Sequence, residues 1–357
     1  MTDASPSQKL HARYEWLDQS RGIVSIMYIF AIITYRVSGD PILGYPQLGP
    51  TFLNHGYKYY QGATPLITII DVGQQIFMFV MGFVAYLAFT SRIEKRGSFS
   101  AALYGARRVV LLFALSGLEA VVEYPTRHSI DWVEVFYEGT LAKLAIGAFA
   151  AYLTMTLIRN ANHRFLFGLT MLAAHAVLHA SPFFHHYGFL DGPLNLLPFP
   201  FGAMGLAAIA VIATCFAQWV WTHPDGFAAA FRTRVATASF YTLGACYCLD
   251  WLQPAHHHDV TASLALFAVG ISGLMLTMTF GFDSLGIHFP LLSSLGRNLL
   301  LVFVLASIVV DKYLGMLDRD FLNASPYWTL LLVGVLPIAF LGVITIFLDR
   351  KRILIKV

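Results

Sequence analysis

The chain is organised as a succession of apolar segments separated by short polar stretches. The segments span residues 20–37, 66–90, 109–124, 139–158, 165–181, 199–221, 235–252, 261–280, 299–315 and 328–348. Crossing a hydrocarbon core takes about 20 predominantly apolar residues in a helix. A backbone in lipid must satisfy its own hydrogen bonds, so these segments predict helices. Only 12% of residues are charged, about half the share in soluble domains. A soluble protein of this length has nowhere to bury so much apolar surface. The expected fold is an all-α, polytopic membrane helix bundle of about ten spans in a single domain over 1–357. The first twenty residues are polar and lack the apolar centre of a cleavable leader, so the first segment reads as a retained span.

Basic residues orient the bundle. With the N-terminus inside and ten spans, seventeen of the 23 Lys and Arg residues fall on the cytoplasmic side, as the positive-inside rule requires. An odd span count would put one basic cluster on the wrong side. Residues 1–19 then form a cytoplasmic N-terminal segment and 349–357 a cytoplasmic basic tail, in the cytoplasmic membrane for a bacterial chain. The long, nearly uncharged outer stretch 38–65 and the stretch 181–200, both rich in aromatic residues, Gly and Pro, mark the outer face as the place for an acceptor site.

Ionisable residues inside spans are costly and face the protein interior. Asp71, Glu119, Glu123, Lys143 and Asp250 fall in the outer parts of their spans, which predicts a polar cavity open to the outside. Snorkelling to interfacial water accounts equally well for Glu123 and Lys143. The histidines share this asymmetry, with His55, His185, His186 and His256–His258 all outside. His175 and His179, four apart, share one helix face. Without a HExxH pattern or a CxxC pair no metal is expected. The "HHHD" run at 256–259 reads as a solvated loop. A neutral imidazole near a carboxylate is the simplest general base near neutral pH. His55 in the first outer loop is the leading candidate, with Asp71 as its partner.

Several segments, in order, resemble the heparan-α-glucosaminide N-acetyltransferase family of transmembrane acyltransferases, in a compact bacterial-type form. "LDQSRG" (17–22) is similar to that family's Leu-Asp-x-x-Arg-Gly at the entry to the first span. "DVGQQIFMFVMG" (71–82) is similar to its Asp-leading, Phe-rich second span. "EGTLAKLAIGAF" (138–149) resembles a segment that usually reads Gly-Val-Leu-Gln-Arg, with Ala142 and Lys143 in place of Gln-Arg. "TASLALFAVG" (261–270) resembles a Thr-x-Ser start of a late span. "LGRNLLLVFVL" (295–305) resembles the Gly-x-Asn of the penultimate span, and "LDRKRILIKV" (348–357) the basic C-terminus. The family's catalytic histidine stands ten residues before the second-span Asp. In the ungapped register that place is Gln61, and His55 reaches it with a six-residue insertion. The Asn that usually ends the first span has no clear counterpart.

The resemblance implies transfer of an acetyl group from cytoplasmic acetyl-CoA to an amino sugar, or another sugar acceptor, on the outer side. His55 and Asp71 then act on the acceptor, directly or through an acetyl-histidine. Arg297, Asn298, Arg107 and Arg108 are the candidates to hold the donor's phosphates, although positive-inside bias alone explains most inner basic residues. Gln61, Glu119, Lys143, Asp250 and His257 are the candidates to line the acceptor site. The expected partners are acetyl-CoA, the sugar and membrane lipids, with no nucleic acid; a homodimer is left open. The competing reading is a solute transporter using the outer acidic and histidine-rich cavity, and a non-enzymatic accessory subunit is a third.

Overall fold

The computed structural model describes residues 14–37, 72–127, 139–180, 201–256, 259–310 and 327–351, with a few single positions between them. Among the described residues every regular element is a helix. They are α1 (Glu15–Val37), α2 (Gly73–Arg127), α3 (Thr140–Leu157), α4 (Ala161–His179), α5 (Phe201–Trp221), α6 (Gly226–Ala230), α7 (Ala236–Asp250), α8 (Ala262–Ser284), α9 (Pro290–Arg297), α10 (Leu299–Leu305) and α11 (Tyr327–Arg350). Single π-helical turns, Phe231–Val235 and Ala306–Val310, join α6 to α7 and extend α10.

Four of these helices are long and apolar enough to cross a membrane among the described residues, and a fifth span arises if bent α9–α10 counts as one. One of the four covers 50 residues, Gly73–Val122. A straight helix of that length would measure about 75 Å, more than twice a hydrocarbon core of about 30 Å. It breaks at Gly97, whose φ of 79° and ψ of 169° lie in a region essentially reserved for glycine. The two halves correspond to the second and third expected spans. The intervening basic stretch, left between two expected spans, is helical up to this break and beyond it.

The chain forms two compact units, one built on Gln75–Met278 and one on Tyr14–Gln74 with Thr279–Val357. In the first, α5 is the central helix. Most of its face is buried, with Leu206, Ile209, Val211, Ile212 and Phe216 inaccessible to solvent. The α2 ring of Phe79 meets Phe216 edge-on at 5.3 Å, and Phe83 meets Trp221 at 5.5 Å. The ascending order of these pairs shows that the first half of α2 runs parallel to α5. Helices α3 and α4 pack on α5 through small residues: a Cβ on Gly168 would lie 2.6 Å from Ile212.

In the second unit, α1 packs on α9 at backbone contact. A Cβ on Gly22 would lie 2.0 Å from the Leu292 carbonyl oxygen, and one on Gly296 1.8 Å from that of Asp18. No other residue fits at either position. Ile29, Leu295, Val302, Ala306, Val310 and Leu341 form the core beneath this contact. Tyr28 stacks on Phe303 at 3.8 Å and its hydroxyl bonds that of Ser307 at 2.7 Å.

Candidate functional site

Three polar constellations stand out among the described residues. The first joins α1, α9 and α11. The Arg297 guanidinium donates to Asp349 Oδ2 at 2.5 Å and to Glu15 Oε2 at 2.9 Å, with its Nε 3.5 Å from Asp18 Oδ2. Arg21 donates to the other Asp18 oxygen at 3.4 Å, and Ser293 donates to Glu15. Glu15 and Asp18 also sit in the first turn of α1, where the helix dipole favours anions. This contact puts the start of α1, the end of α9 and the end of α11 at one end of their unit. Among the described residues this group brings three carboxylates to two guanidiniums, and through its partners Arg297 joins three helices. Asn298 is fully buried and donates to the Ser294 carbonyl at 3.4 Å. It occupies the 81° bend between α9 and α10, a hinge position with no exposure to a ligand.

The second constellation surrounds the Gly97 break. Arg92 lies over the Tyr104 ring at 3.9 Å and Arg108 approaches the same ring at 5.4 Å. Arg108 also donates to the Tyr152 hydroxyl at 3.3 Å. Lys95, Arg96 and Arg107 are exposed beside them. Among the described residues none of these five cations forms an ion pair, and Glu94 is the sole carboxylate in the stretch 92–108. Stacking fixes the two half-buried guanidiniums while their donors stay available for anions. This cluster shares an end of the first unit with Arg164, which is 2% exposed. Arg164 donates to the Ile158 carbonyl at 2.8 Å and to Gln218 at 2.6 Å, and stands 5.8 Å from the Tyr86 ring. It thus closes the C-terminus of α3 onto α4 and α5, a structural task with its donors consumed.

The third constellation lies at the other end of the same helices. Asp259 is 4% exposed. One of its carboxylate oxygens is 3.0 Å from His179 Nε2 and 3.0 Å from His256 Nδ1. His175 Nε2 donates to the Asp259 backbone carbonyl at 2.9 Å, and its ring stacks on that of His179. Burial opposes ionisation of Asp259. The hydrogen bonds and charge of His179 and His256 outweigh it and hold the carboxyl well below the ordinary carboxylate range. The loop is tied down by its neighbours. Ser263 donates to the Gln253 carbonyl at 2.8 Å, the Ala262 N–H donates to the Gln253 side chain at 3.1 Å, and the His256 N–H donates to Thr261 at 3.0 Å. Val260 is held at φ 46° with no exposure, its carbonyl against Gly205. A β-branched residue at positive φ is strained and persists only where its surroundings enforce it.

These findings correct part of the sequence reading. Asp259 and His256 belong to a buried, hydrogen-bonded cluster, because Thr261 and Ser263 pull their loop onto the start of α8. The "HHHD" run and the His175/His179 spacing were the available signals, yet nothing in the sequence joins segments eighty residues apart. Asp250 accepts the Ala255 N–H on one carboxylate oxygen at 2.8 Å, at the turn that ends α7. Glu119 and Lys143 are half-buried, each with partners of its own. Arg107 is exposed and Arg108 half-buried, both in the basic cluster. His55, Gln61, Asp71, His257 and the Glu123 side chain lie outside the described residues. A cavity of about 380 Å³ bounded by Val309, Val310, Tyr313, Leu336, Pro337 and Phe340 is almost wholly apolar and offers no chemistry.

No protein-family model matches the chain, and no curated protein matches it.

Proposed function

We propose that the chain is a transmembrane acyltransferase, taking an acetyl group from acetyl-CoA on the cytoplasmic side and passing it to an amino sugar, or another sugar, on the outer side. The observation that carries this reading is the polarity of the first unit. A basic cluster with stacked arginines, without an ion pair among the described residues, occupies one end, and a His–Asp–His cluster occupies the other end of the same helices. Arg164 and His179, near the two ends, are fifteen residues apart on α4, about 22 Å along the axis, which is of the order of a hydrocarbon core.

In this reading the bundle has ten spans with both termini inside. The Gly97 cluster then faces the cytoplasm, as positive-inside bias requires. Arg92, Arg107 and Arg108 take the phosphates of the donor, with Lys95 and Arg96 adding charge. The resemblance adds His55 and Asp71 as the residues that act on the acceptor, and Gln61 and His257 are further candidates to bind it. Direct attack of the acceptor on the thioester and passage through an acetyl-histidine give the same products.

The interlock of α1 with α9 lends further support. "LDQSRG" and "LGRN", two of the segments on which the resemblance rests, touch through Gly22 and Gly296 and share the Arg297–Asp18 contact.

The test is calorimetric titration of detergent-solubilised protein with acetyl-CoA and with a thioester lacking the nucleotide. The reading expects acetyl-CoA to bind at least tenfold more tightly. Equal affinity, or no binding of either, would leave the transporter as the better account.

A further inference from the structure

We infer that the stretch around the Gly97 break binds an anionic phospholipid of the cytoplasmic leaflet, with Lys95, Arg96 and Arg107 on its phosphate and Phe99 and Leu103 against its acyl chains. This rests on reading α2 as membrane-spanning with the Gly97 break at the cytoplasmic side, and it is independent of acyl transfer.

The order of residues carries the inference. Beyond Gly97, Phe99, Leu103, Arg107, Val110 and Ala114 follow one another at steps of three or four, and Leu118 continues the series. Residues so spaced share one face of a helix. All six are exposed, Phe99 at 83% and Leu103 at 62%. From Phe99 to Leu118 the face is about 29 Å long, close to the thickness of a hydrocarbon core. Apart from Arg107 it is wholly apolar. A continuous exposed apolar face marks an interaction surface, and on a spanning helix it suits lipid.

Arg107 is the exception on this face. Apolar residues precede and follow it, and among the described residues it forms no ion pair. A guanidinium in that setting lays its stem along its apolar neighbours and extends its head to the phosphate level. Lys95 and Arg96 are exposed on the far side of Phe99, and Glu94 is the sole carboxylate in the stretch 92–108. Cations, an apolar pair, then a cation again is the pattern of a segment lying in the membrane interface. A soluble phosphate compound would need only the cations. The apolar pair between them calls for a ligand that carries hydrocarbon chains beside its phosphate. The excess of positive charge favours an anionic headgroup over a zwitterionic one. Arg92 and Arg108 are half-buried against Tyr104, so the stacked pair is left to the donor and Arg107 is common to both.

The experiment measures lipid retained by the full-length protein in a neutral detergent, by native mass spectrometry, together with its melting temperature. Phosphatidylglycerol, phosphatidylcholine or glycerol 3-phosphate is added. Wild type is compared with Lys95→Gln/Arg96→Gln/Arg107→Gln and with Phe99→Ser/Leu103→Ser. A control, Arg232→Gln/Arg234→Gln, removes two exposed cations from the turn Phe231–Val235. The inference expects phosphatidylglycerol to be retained at least about tenfold over phosphatidylcholine. The triple variant and the Phe99/Leu103 variant should each lower its retention about tenfold or more. The Arg232/Arg234 control should stay within about twofold of wild type, because those cations lack the apolar pair. Glycerol 3-phosphate should neither displace the lipid nor raise the melting temperature. Equal retention of the two lipids, an equal loss in the Arg232/Arg234 control, or displacement by glycerol 3-phosphate would overturn the inference. A mass of two copies with no lipid retained would assign the face to self-association and overturn it as well. Exposed positions tolerate such substitutions; a variant that melts early without lipid is replaced by Arg107→Gln or Leu103→Gln alone, judged by the same outcomes. Acetyl-CoA is left out throughout, so this result and the calorimetric titration with acetyl-CoA fail separately.

Discussion

Arg297 and Glu15 are 282 positions apart in the chain, yet the guanidinium donates to the carboxylate at 2.9 Å. That bond, with the one to Asp349 and the ion pair with Asp18, makes Arg297 the meeting point of α1, α9 and α11. Arg297→Ala would leave three carboxylates facing one another at a partly buried site. Loss of one partner from such a group costs about 1–3 kcal/mol once solvent screening of its exposed edge is allowed for. Thermal unfolding in detergent should show that loss, and Glu15→Gln added to Arg297→Ala should recover part of it. Acetyl-CoA affinity should change less than threefold. A large loss of donor affinity with unchanged stability would return Arg297 to the donor site.

The α1–α9 contact makes a sharper structural prediction. Gly296→Ala places a methyl group 1.8 Å from the Asp18 carbonyl oxygen, against backbone and not a movable side chain. The helices must separate, at a cost of about 3 kcal/mol or more. Gly244→Ala meets nothing within 4 Å and should be neutral or slightly stabilising, by up to about 1 kcal/mol. Comparable melting temperatures for the two variants would refute the close approach.

The basic cluster is tested through the donor. Arg108→Ala and Arg92→Ala should each weaken acetyl-CoA binding by about 1.5–3 kcal/mol if a charged hydrogen bond to phosphate is lost. Binding should also weaken as salt is raised, because the cluster's edge is exposed. Gly97→Ala, forced out of a conformation that glycine alone adopts freely, should cost about 1–3 kcal/mol of stability and reorient the cluster. Isothermal titration across the three variants and a salt series reads all of these effects.

Asp259 carries a pH prediction. Its carboxyl is held below the ordinary carboxylate range in the folded protein. A carboxyl with a depressed folded pKa contributes stability that is fully present above its unfolded value, about 3.9, and is lost as pH falls through the folded one. Asp259→Asn should therefore be less stable than wild type at neutral pH, and the gap should close as pH drops below about 4. A gap independent of pH between 7 and 3 would show that the carboxylate's charge contributes nothing.

The helices were legible in the sequence because apolar length is a local property. Each expected segment with described residues contains helix, and bounds such as Thr140–Leu157 and Phe201–Trp221 fall within a few residues of those expected. The helical stretch around Gly97 was not legible, because its basic residues suit a loop and an exposed helix equally well. Among site residues, Arg107 and Arg108 fall in the basic cluster around Gly97, beside Arg92, Lys95 and Arg96. The ion pairs of Arg297 were not legible because its carboxylates come from distant segments, and positive-inside reasoning sees only the sign of the arginine. Asp259 was missed for the same reason: its burial is created by α4 and by the Thr261–Ser263 turn, and a run of three histidines before an aspartate looks solvated when read alone.

The central claim is transfer of an acetyl group across the membrane. Its most direct measurement uses protein reconstituted in sealed vesicles, with labelled acetyl-CoA on one side and glucosamine on the other. The account predicts labelled N-acetylglucosamine on the acceptor side when the donor faces the Arg92–Arg108 end, and none when donor and acceptor are exchanged. Vesicles that consume no acetyl-CoA in either arrangement, or that move glucosamine across unmodified, would contradict it.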